Sequence, residues 1–443
     1  MLQTAVNTQR IPEAFEKFIK LVGSHHWTTR ATYVNQQATR NSFLGPLLRE
    51  EYATALALTA CSAIRAKRGE LVLSTNELAI FYSAITLVTN TLSVTQAMSS
   101  VDATRFVKRV RGAIKDPEAM RALHLELTTA THFLRKGVNI VWPDINGIGT
   151  FDLLLTTLGP CGLEVECKAI SWNKGRKIWR KEAAEFYNQI YAQIRRIGET
   201  IVGGLTVVMT VPDRLPTSNE HRKALGSTLI KQILIGKGEL LQDGVDIRIE
   251  PFDIAMLPSV TSPIVDPVAK LQIDKLTNTQ NRESLVVGRR NQGAIIFVLQ
   301  SAKTDATLSA MFDTLSDSAK TQLSKTRPAI YAVELQGMSY DALIATGEQD
   351  KDPEQPKTAL SHAVSKFLSS TDRDHVVGVA FLSGGQRTVH EQNASSAVTS
   401  AMGSVYYFPK KSGSLWHQDF SGLFGSITSE SSIEHERSQT GLA

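Results

Sequence analysis

Residues Phe151–Ile170 read FDLLLTTLGPCGLEVECKAI, two apolar runs joined through Gly159, Pro160 and Gly162. Side chains alternate faces along a strand. Leu163, Val165, Cys167 and Ala169 therefore share one face, and Glu164, Glu166 and Lys168 share the other. Charges in alternation ordinarily mark the wet face of an edge strand, and Glu164 is read as such a solvated acid, with an extra metal ligand as the alternative. Asp152 changes the reading for its neighbours. It opens the preceding strand, and a hairpin of this length can bring that start beside the far part of the next strand. Asp152, Glu166 and Lys168 can then converge.

Upstream, Asp116 followed by Pro117 is a helix start, and Arg135 and Lys136 before Gly137 suit its C-terminal end. At about 100° per residue, Glu126 is surrounded by Ala119, Ala122, Leu123, Ala130 and Phe133. A carboxylate within an apolar stripe needs a cation, a hydrogen-bond network or a raised pKa. A bound metal ion would supply the cation.

An acidic helix residue, an aspartate at a strand start and E-x-K on the next strand together resemble the PD-(D/E)XK nuclease superfamily, the restriction-endonuclease-like fold. The resemblance covers about 116 to 211. It implies that Asp152, Glu166 and the backbone carbonyl of Cys167 ligate Mg²⁺ or Mn²⁺. Lys168 would orient or help deprotonate the attacking water, and Glu126 would sit at the metal's outer shell or bind a second ion. Gln189, on the next helix, matches the position where many members carry a contributing glutamine or lysine. Phe151 stands where the motif has proline. A Pro143-Asp144 pair lies eight residues earlier, so Asp144 competes with Asp152 for the aspartate role.

The implied activity is a metal-dependent deoxyribonuclease, an endonuclease, serving restriction, phage defence, repair or a mobile element. The alternative is a catalytically inactive nucleic-acid-binding or scaffold protein that retains the fold. A third reading has Glu126 and Lys168 as a buried ion pair with no metal. Directly after the E-x-K strand, residues 171–181 read SWNKGRKIWRK, with Lys174, Arg176, Lys177, Arg180 and Lys181 and no acid. With Trp172 and Trp179 flanking them, these cations suit phosphate contacts beside aromatic platforms for bases. DNA is the expected partner. A homodimer would suit cutting both strands, and the flanking regions are candidates for docking a partner subunit.

The rest of the chain frames this segment. Of 443 residues, 42% are hydrophobic and 21% charged, which excludes a wholly disordered chain, a collagen-like fibre and a coiled coil. Forty-eight basic against 43 acidic residues give a net charge of +5, which permits a polyanionic partner without demanding one. No run approaches the ~18 apolar residues of a membrane helix, and Tyr52–Ile64 reads as the most hydrophobic helical segment. Three cysteines (Cys61, Cys161 and Cys167) form no C-x-x-C pair. With no secretory signal visible, the expectation is a reduced, cytoplasmic protein that engages no membrane.

Apolar periodicity predicts a helical region over 1–115, with helices near 12–22, 43–66, 75–95 and 102–114, and a Ser74/Glu77 capping box. The nuclease-like core is expected over 116–255 as helix, three strands, helix, strand, with its second helix from about 180 to 198, its next strand from 205 to 211, and a helix near 219–236 and a strand near 245–250 completing the block. A linker over 256–283, a second α/β block over 284–412 and a flexible tail over 413–443 complete an α/β protein.

Overall fold

The computed structural model describes residues 2–257, 267–280, 282–289, 292–383, 387–392, 395–402, 406–409 and 420–424. The expected tail lies outside the described residues apart from 420–424, as do residues 258–266 of the expected linker. The protein is mixed α/β, and its chain forms two compact units: Met1–Ala31, Tyr52–Trp172 and Leu308–Ala443 in one, Thr32–Glu51 and Asn173–Thr307 in the other. These units cut across the linear blocks expected from the sequence.

Local signals set most element boundaries. Ser74 and Glu77 form a reciprocal capping box ahead of the helix Thr75–Ala97. The Asp116 side chain accepts from the backbone N–H groups of Glu118 and Ala119, capping the helix Pro117–Arg135. The predicted helix over 43–66 is interrupted at Tyr52, giving Leu44–Glu51 and Ala53–Arg68. The helix His25–Arg40 carries only Trp27, Ala31 and Val34 as a buried stripe, which is thin enough to escape periodicity. The expected linker contains the helix Pro267–Thr277.

The apolar maximum also moves. Among the described residues, Thr75–Ala97 is long and apolar enough to cross a membrane by length and composition, with mean hydropathy 1.4. Here its Leu78, Tyr82, Ile85 and Val88 are buried against the helices Ile11–Val22, Ala53–Arg68, Ser100–Ala113 and Pro117–Arg135.

In the first unit, a six-stranded sheet runs in the order Tyr406–Pro409, Val376–Leu382, Ala329–Leu335, Leu163–Ile170, Leu153–Leu155, Ile140–Val141. Its three middle members, from Val376–Leu382 to Leu163–Ile170, are parallel, and the flanking strands are antiparallel. Middle strands covered on both faces should be near-continuously apolar, as Val376–Leu382 is. One face packs Leu163, Val165, Cys167, Ile330 and Ala332 with Leu123, Leu127 and Phe133 of the helix Pro117–Arg135. The other packs Leu154, Tyr331 and Val333 with Met311, Leu315 and Ala319 of the helix Thr307–Thr321. Each fully buried side chain of this kind contributes roughly 1.5–3 kcal/mol. The strand Leu2–Asn7, which was not foreseen, pairs antiparallel with Ser395–Met402.

The second unit has a five-stranded sheet ordered Glu239–Leu240, Asp246–Phe252, Gly203–Val211, Gly293–Ser301, Glu283–Arg289. Here the structure corrects the expected core. Gly203–Val211, expected in one α/β unit with the E-x-K strand, pairs with Asp246–Phe252 and Gly293–Ser301 in the other sheet. The parallel neighbour of Leu163–Ile170 is Ala329–Leu335, with Glu166 opposite Tyr331 and Lys168 opposite Val333. Both candidates are short apolar strands that follow a helix, so only the pairing distinguishes them.

Candidate active site

The hairpin that opens the site is asymmetric. Leu153–Leu155 has three residues and Leu163–Ile170 has eight, and they pair only from Leu163 to Val165. Gly159 and Gly162 in the connection take positive φ, +73° and +80°, which glycine accommodates without a Cβ penalty. Beyond Val165 the longer strand has no neighbour on this side. The next residue pair in that register would set Asp152 across from Glu166. The Asp152 side chain takes up part of the missing pairing, since its Oδ2 accepts from Cys167 N at 2.7 Å. In an antiparallel pair the N–H and C=O of one residue point the same way, so the Cys167 carbonyl also faces the notch.

Glu166 and Lys168 stand on either side of that contact. Lys168 Nζ donates to Glu166 Oε1 at 2.6 Å and to Gln322 Oε1 at 2.7 Å. Gln322 follows the helix Thr307–Thr321 and is anchored by its carbonyl, which accepts from Thr150 Oγ1 at 2.7 Å. The second Glu166 oxygen, Oε2, is buried with no hydrogen-bond partner. Burial pushes the Glu166 carboxyl up to about 8, the Asp152 charge adds to the rise, and Lys168 opposes it.

Glu126 is 2% exposed and reaches the site from the helix Pro117–Arg135. Arg109 Nη2 donates to its Oε1 at 2.5 Å, and Arg109 Nη1 donates to Asp144 Oδ2 at 2.9 Å. Glu126 Oε2 has no partner. Burial raises the Glu126 carboxyl well above the usual range, with Asp152 raising it further and Arg109 lowering it. Burial likewise raises Asp152, against the Cys167 N–H bond, Arg109 and Lys168. The Cys167 thiol is raised by burial and then by the charges of Asp152, Glu126 and Glu166. Three acids therefore surround this one residue.

The structure brings Glu126, Asp152, Glu166 and Lys168 together, with Asp144 joined through Arg109. Sequence reasoning missed Arg109. The available signal was its place at the edge of the buried stripe Phe106, Val107, Val110 and Ala113, facing an acid already recognised as misplaced. Gln189 lies in the second unit, where its amide donates to Asn219 Oδ1 at 2.8 Å; the amide that reaches Lys168 is Gln322. Glu164 is not solvated. It is fully buried, accepts from the Ser324 N–H and hydroxyl, and lies 3.5 Å from Arg327.

The basic loop is largely neutralised. Arg176 pairs with Glu283 and Asp305, Lys177 with Asp213, and Arg180 with Glu50. Lys174 and Lys181 are exposed and make no ion pair among the described residues. Trp172 lies against Gly337, whose φ of +90° and closeness to the ring exclude a Cβ. Trp179 lies beneath the Arg214 guanidinium, 5.3 Å from the ring centroid.

Among the described residues, no group of three or more His, Cys, Asp or Glu side chains is arranged to hold a metal ion. Arg109 and Lys168 already engage Glu126, Asp144 and Glu166. The donor chemistry nevertheless fits a hard divalent cation, which takes carboxylate and carbonyl oxygens. Two buried carboxylate oxygens, on Glu126 and Glu166, remain unpartnered, a costly condition that a cation would relieve. Compared with models of known families, with curated proteins and with solved structures, the chain matches none.

Proposed function

We propose that this chain is a Mg²⁺-dependent nuclease that hydrolyses DNA phosphodiester bonds, built on a restriction-endonuclease-like core. The observation that carries the reading is the Asp152–Cys167 contact, which holds an aspartate beside the E-x-K strand where Glu166 and Lys168 are already joined. The element order supports it once the second unit is read as an insertion. The Glu126 helix, strands at 140–141, 153–155 and 163–170, the helix Thr307–Thr321 and the parallel strand Ala329–Leu335 follow one another.

Asp152, Glu166 and the Cys167 carbonyl would hold Mg²⁺ or Mn²⁺, with Glu126 outside them. When bound, the ion supplies a more acidic water and offsets charge on the phosphate oxygens. Lys168 has three donors; two are spent on Glu166 and Gln322, which leaves one for the attacking water or a phosphate oxygen. The water oxygen bonds phosphorus, the bond to the leaving sugar oxygen breaks, and that oxygen takes a proton. DNA as the partner, and a homodimer for cutting both strands, belong to the same proposal.

One observation favours a second reading. Arg109 and Lys168 supply internal counter-charges to the acids, as they would in a non-catalytic scaffold that keeps this network for its geometry. Plasmid DNA and RNA incubated with the full chain, with Mg²⁺, Mn²⁺ or a chelator, separate the two. Cleavage that requires metal and is lost in both Asp152→Ala and Lys168→Ala supports the nuclease. Cleavage that survives both substitutions overturns the assignment, and salt-sensitive binding without cleavage favours the scaffold.

A further inference from the structure

We propose that Arg109 occupies the place of a second cation, so that the site takes one divalent ion and not two. This rests on the nuclease reading above and concerns how that site is filled.

Four acids are electrostatically linked around the notch, each delivered by a different part of the first unit. Glu126 comes from the helix Pro117–Arg135, Asp144 from the short turn Pro143–Asn146, Asp152 from the start of a strand and Glu166 from the middle of the next. Burial holds Glu126 and Glu166 toward the neutral form in the metal-free site, so four negative charges are the most the cluster can carry once a cation ionises it. Arg109 and Lys168 return two positive charges, and a single divalent ion closes the balance. A second ion would leave the buried cluster with two uncompensated positive charges, a state that low-polarity surroundings penalise heavily.

Geometry divides the acids the same way. The Arg109 guanidinium spans Glu126 and Asp144 with its two terminal nitrogens, at 2.5 and 2.9 Å. Its planar fork suits such bridging, and it keeps its charge at every usable pH. The arginine is delivered by a helix whose Phe106, Val107, Val110 and Ala113 are buried, so its position is set by packing. The guanidinium holds Glu126 and Asp144, and the Asp152, Glu166 and Cys167 carbonyl oxygens are left for an ion. Glu126 is therefore held by Arg109 through Oε1 and serves the ion as an outer-shell group, not as a direct ligand.

Equilibrium titration of the full chain with Mn²⁺ in the absence of DNA, following free Mn²⁺ by electron paramagnetic resonance, reads the stoichiometry directly. Wild type is expected to bind one ion per chain. Glu126→Gln should still bind one at saturating Mn²⁺, with a weaker Kd because the cluster loses one negative charge. Asp152→Asn should bind none, and Arg109→Met should gain a second ion. Two ions in wild type, one ion in a folded Arg109→Met, or loss of binding in Glu126→Gln would each overturn the inference while leaving the nuclease reading in place. Circular dichroism establishes whether Arg109→Met folds; if it does not, the wild-type and Glu126→Gln stoichiometries decide. A wild-type chain that binds no Mn²⁺ overturns the nuclease reading and this inference together.

Discussion

The Asp152 carboxylate accepts the backbone N–H of Cys167 at 2.7 Å, taking over the pairing that its own strand ends at Leu153. One side chain thereby completes a sheet edge and joins an acidic cluster. The two roles respond differently to substitution. Asp152→Asn keeps an oxygen acceptor for Cys167 and should melt close to wild type, while cleavage falls at least about a hundredfold. Asp152→Ala leaves the Cys167 N–H unpaired and should lose about 1–3 kcal/mol of stability in addition. Thermal melts run beside plasmid-nicking rates check both, and equal melting temperatures for the two variants would contradict the structural half.

Gln322 positions Lys168 from outside the motif. Its Oε1 accepts from Nζ at 2.7 Å, so Gln322→Ala should free the ammonium to swing while Glu166 still holds it. We expect kcat to fall on the order of tenfold, with KM nearly unchanged, as when a group that acts in the transition state is misplaced. Gln322→Glu should recover most of the rate, because a carboxylate accepts the same bond. A change confined to KM would place Gln322 in substrate binding.

His132 gives the fold a pH dependence of its own. It is fully buried, its Nε2 donates to the Leu423 carbonyl at 3.2 Å, and its Nδ1 has no partner. Burial pulls the imidazole down to about 4, with Lys136 and Arg135 also opposing its charge. The unfolded chain protonates near 6.5, so between pH 6.5 and 4 it binds more protons than the folded chain. Stability is full above 6.5 and is lost as pH falls through this window. At pH 5 the loss is about 2 kcal/mol. Glu166 and His124 titrate across the same range, so the test is the difference between chains: from pH 7 to pH 5, urea unfolding of His132→Gln should lose about 2 kcal/mol less than wild type.

The loop cations are expected to separate into two kinds. Lys174→Ala and Lys181→Ala, at exposed positions outside ion pairs, should each lower the salt slope of DNA binding by about one. Arg176→Ala breaks contacts to Glu283 and Asp305. It should lower the melting temperature and leave the salt slope nearly unchanged. A steep loss of slope in Arg176→Ala alone would reverse this assignment.

Local chemistry was legible wherever a few adjacent residues settle it. The Asp116-Pro117 start, the Ser74/Glu77 capping box and the alternation along Leu163–Ile170 all act within one turn or one strand. Glu126 stood out because a carboxylate within an apolar stripe is expensive wherever the helix packs. Gln322 and the burial of Glu164 were not legible, because their partners lie 154 and 160 residues away, and Arg109, 17 residues from Glu126, left only the edge of an apolar stripe as a signal. Nor did spacing distinguish Gln189 from Gln322, since one sits on and the other just after a helix that could follow the E-x-K strand.

The sequence by itself therefore determined the α/β class, most element boundaries and the acids and lysine worth testing, because periodicity, capping and face alternation are short-range properties. Only the tertiary structure decided which strand lies beside the E-x-K strand, which glutamine reaches Lys168 and which cation holds Glu126. Those choices depend on pairing and packing between segments far apart in the chain, and no local pattern encodes the distance between them.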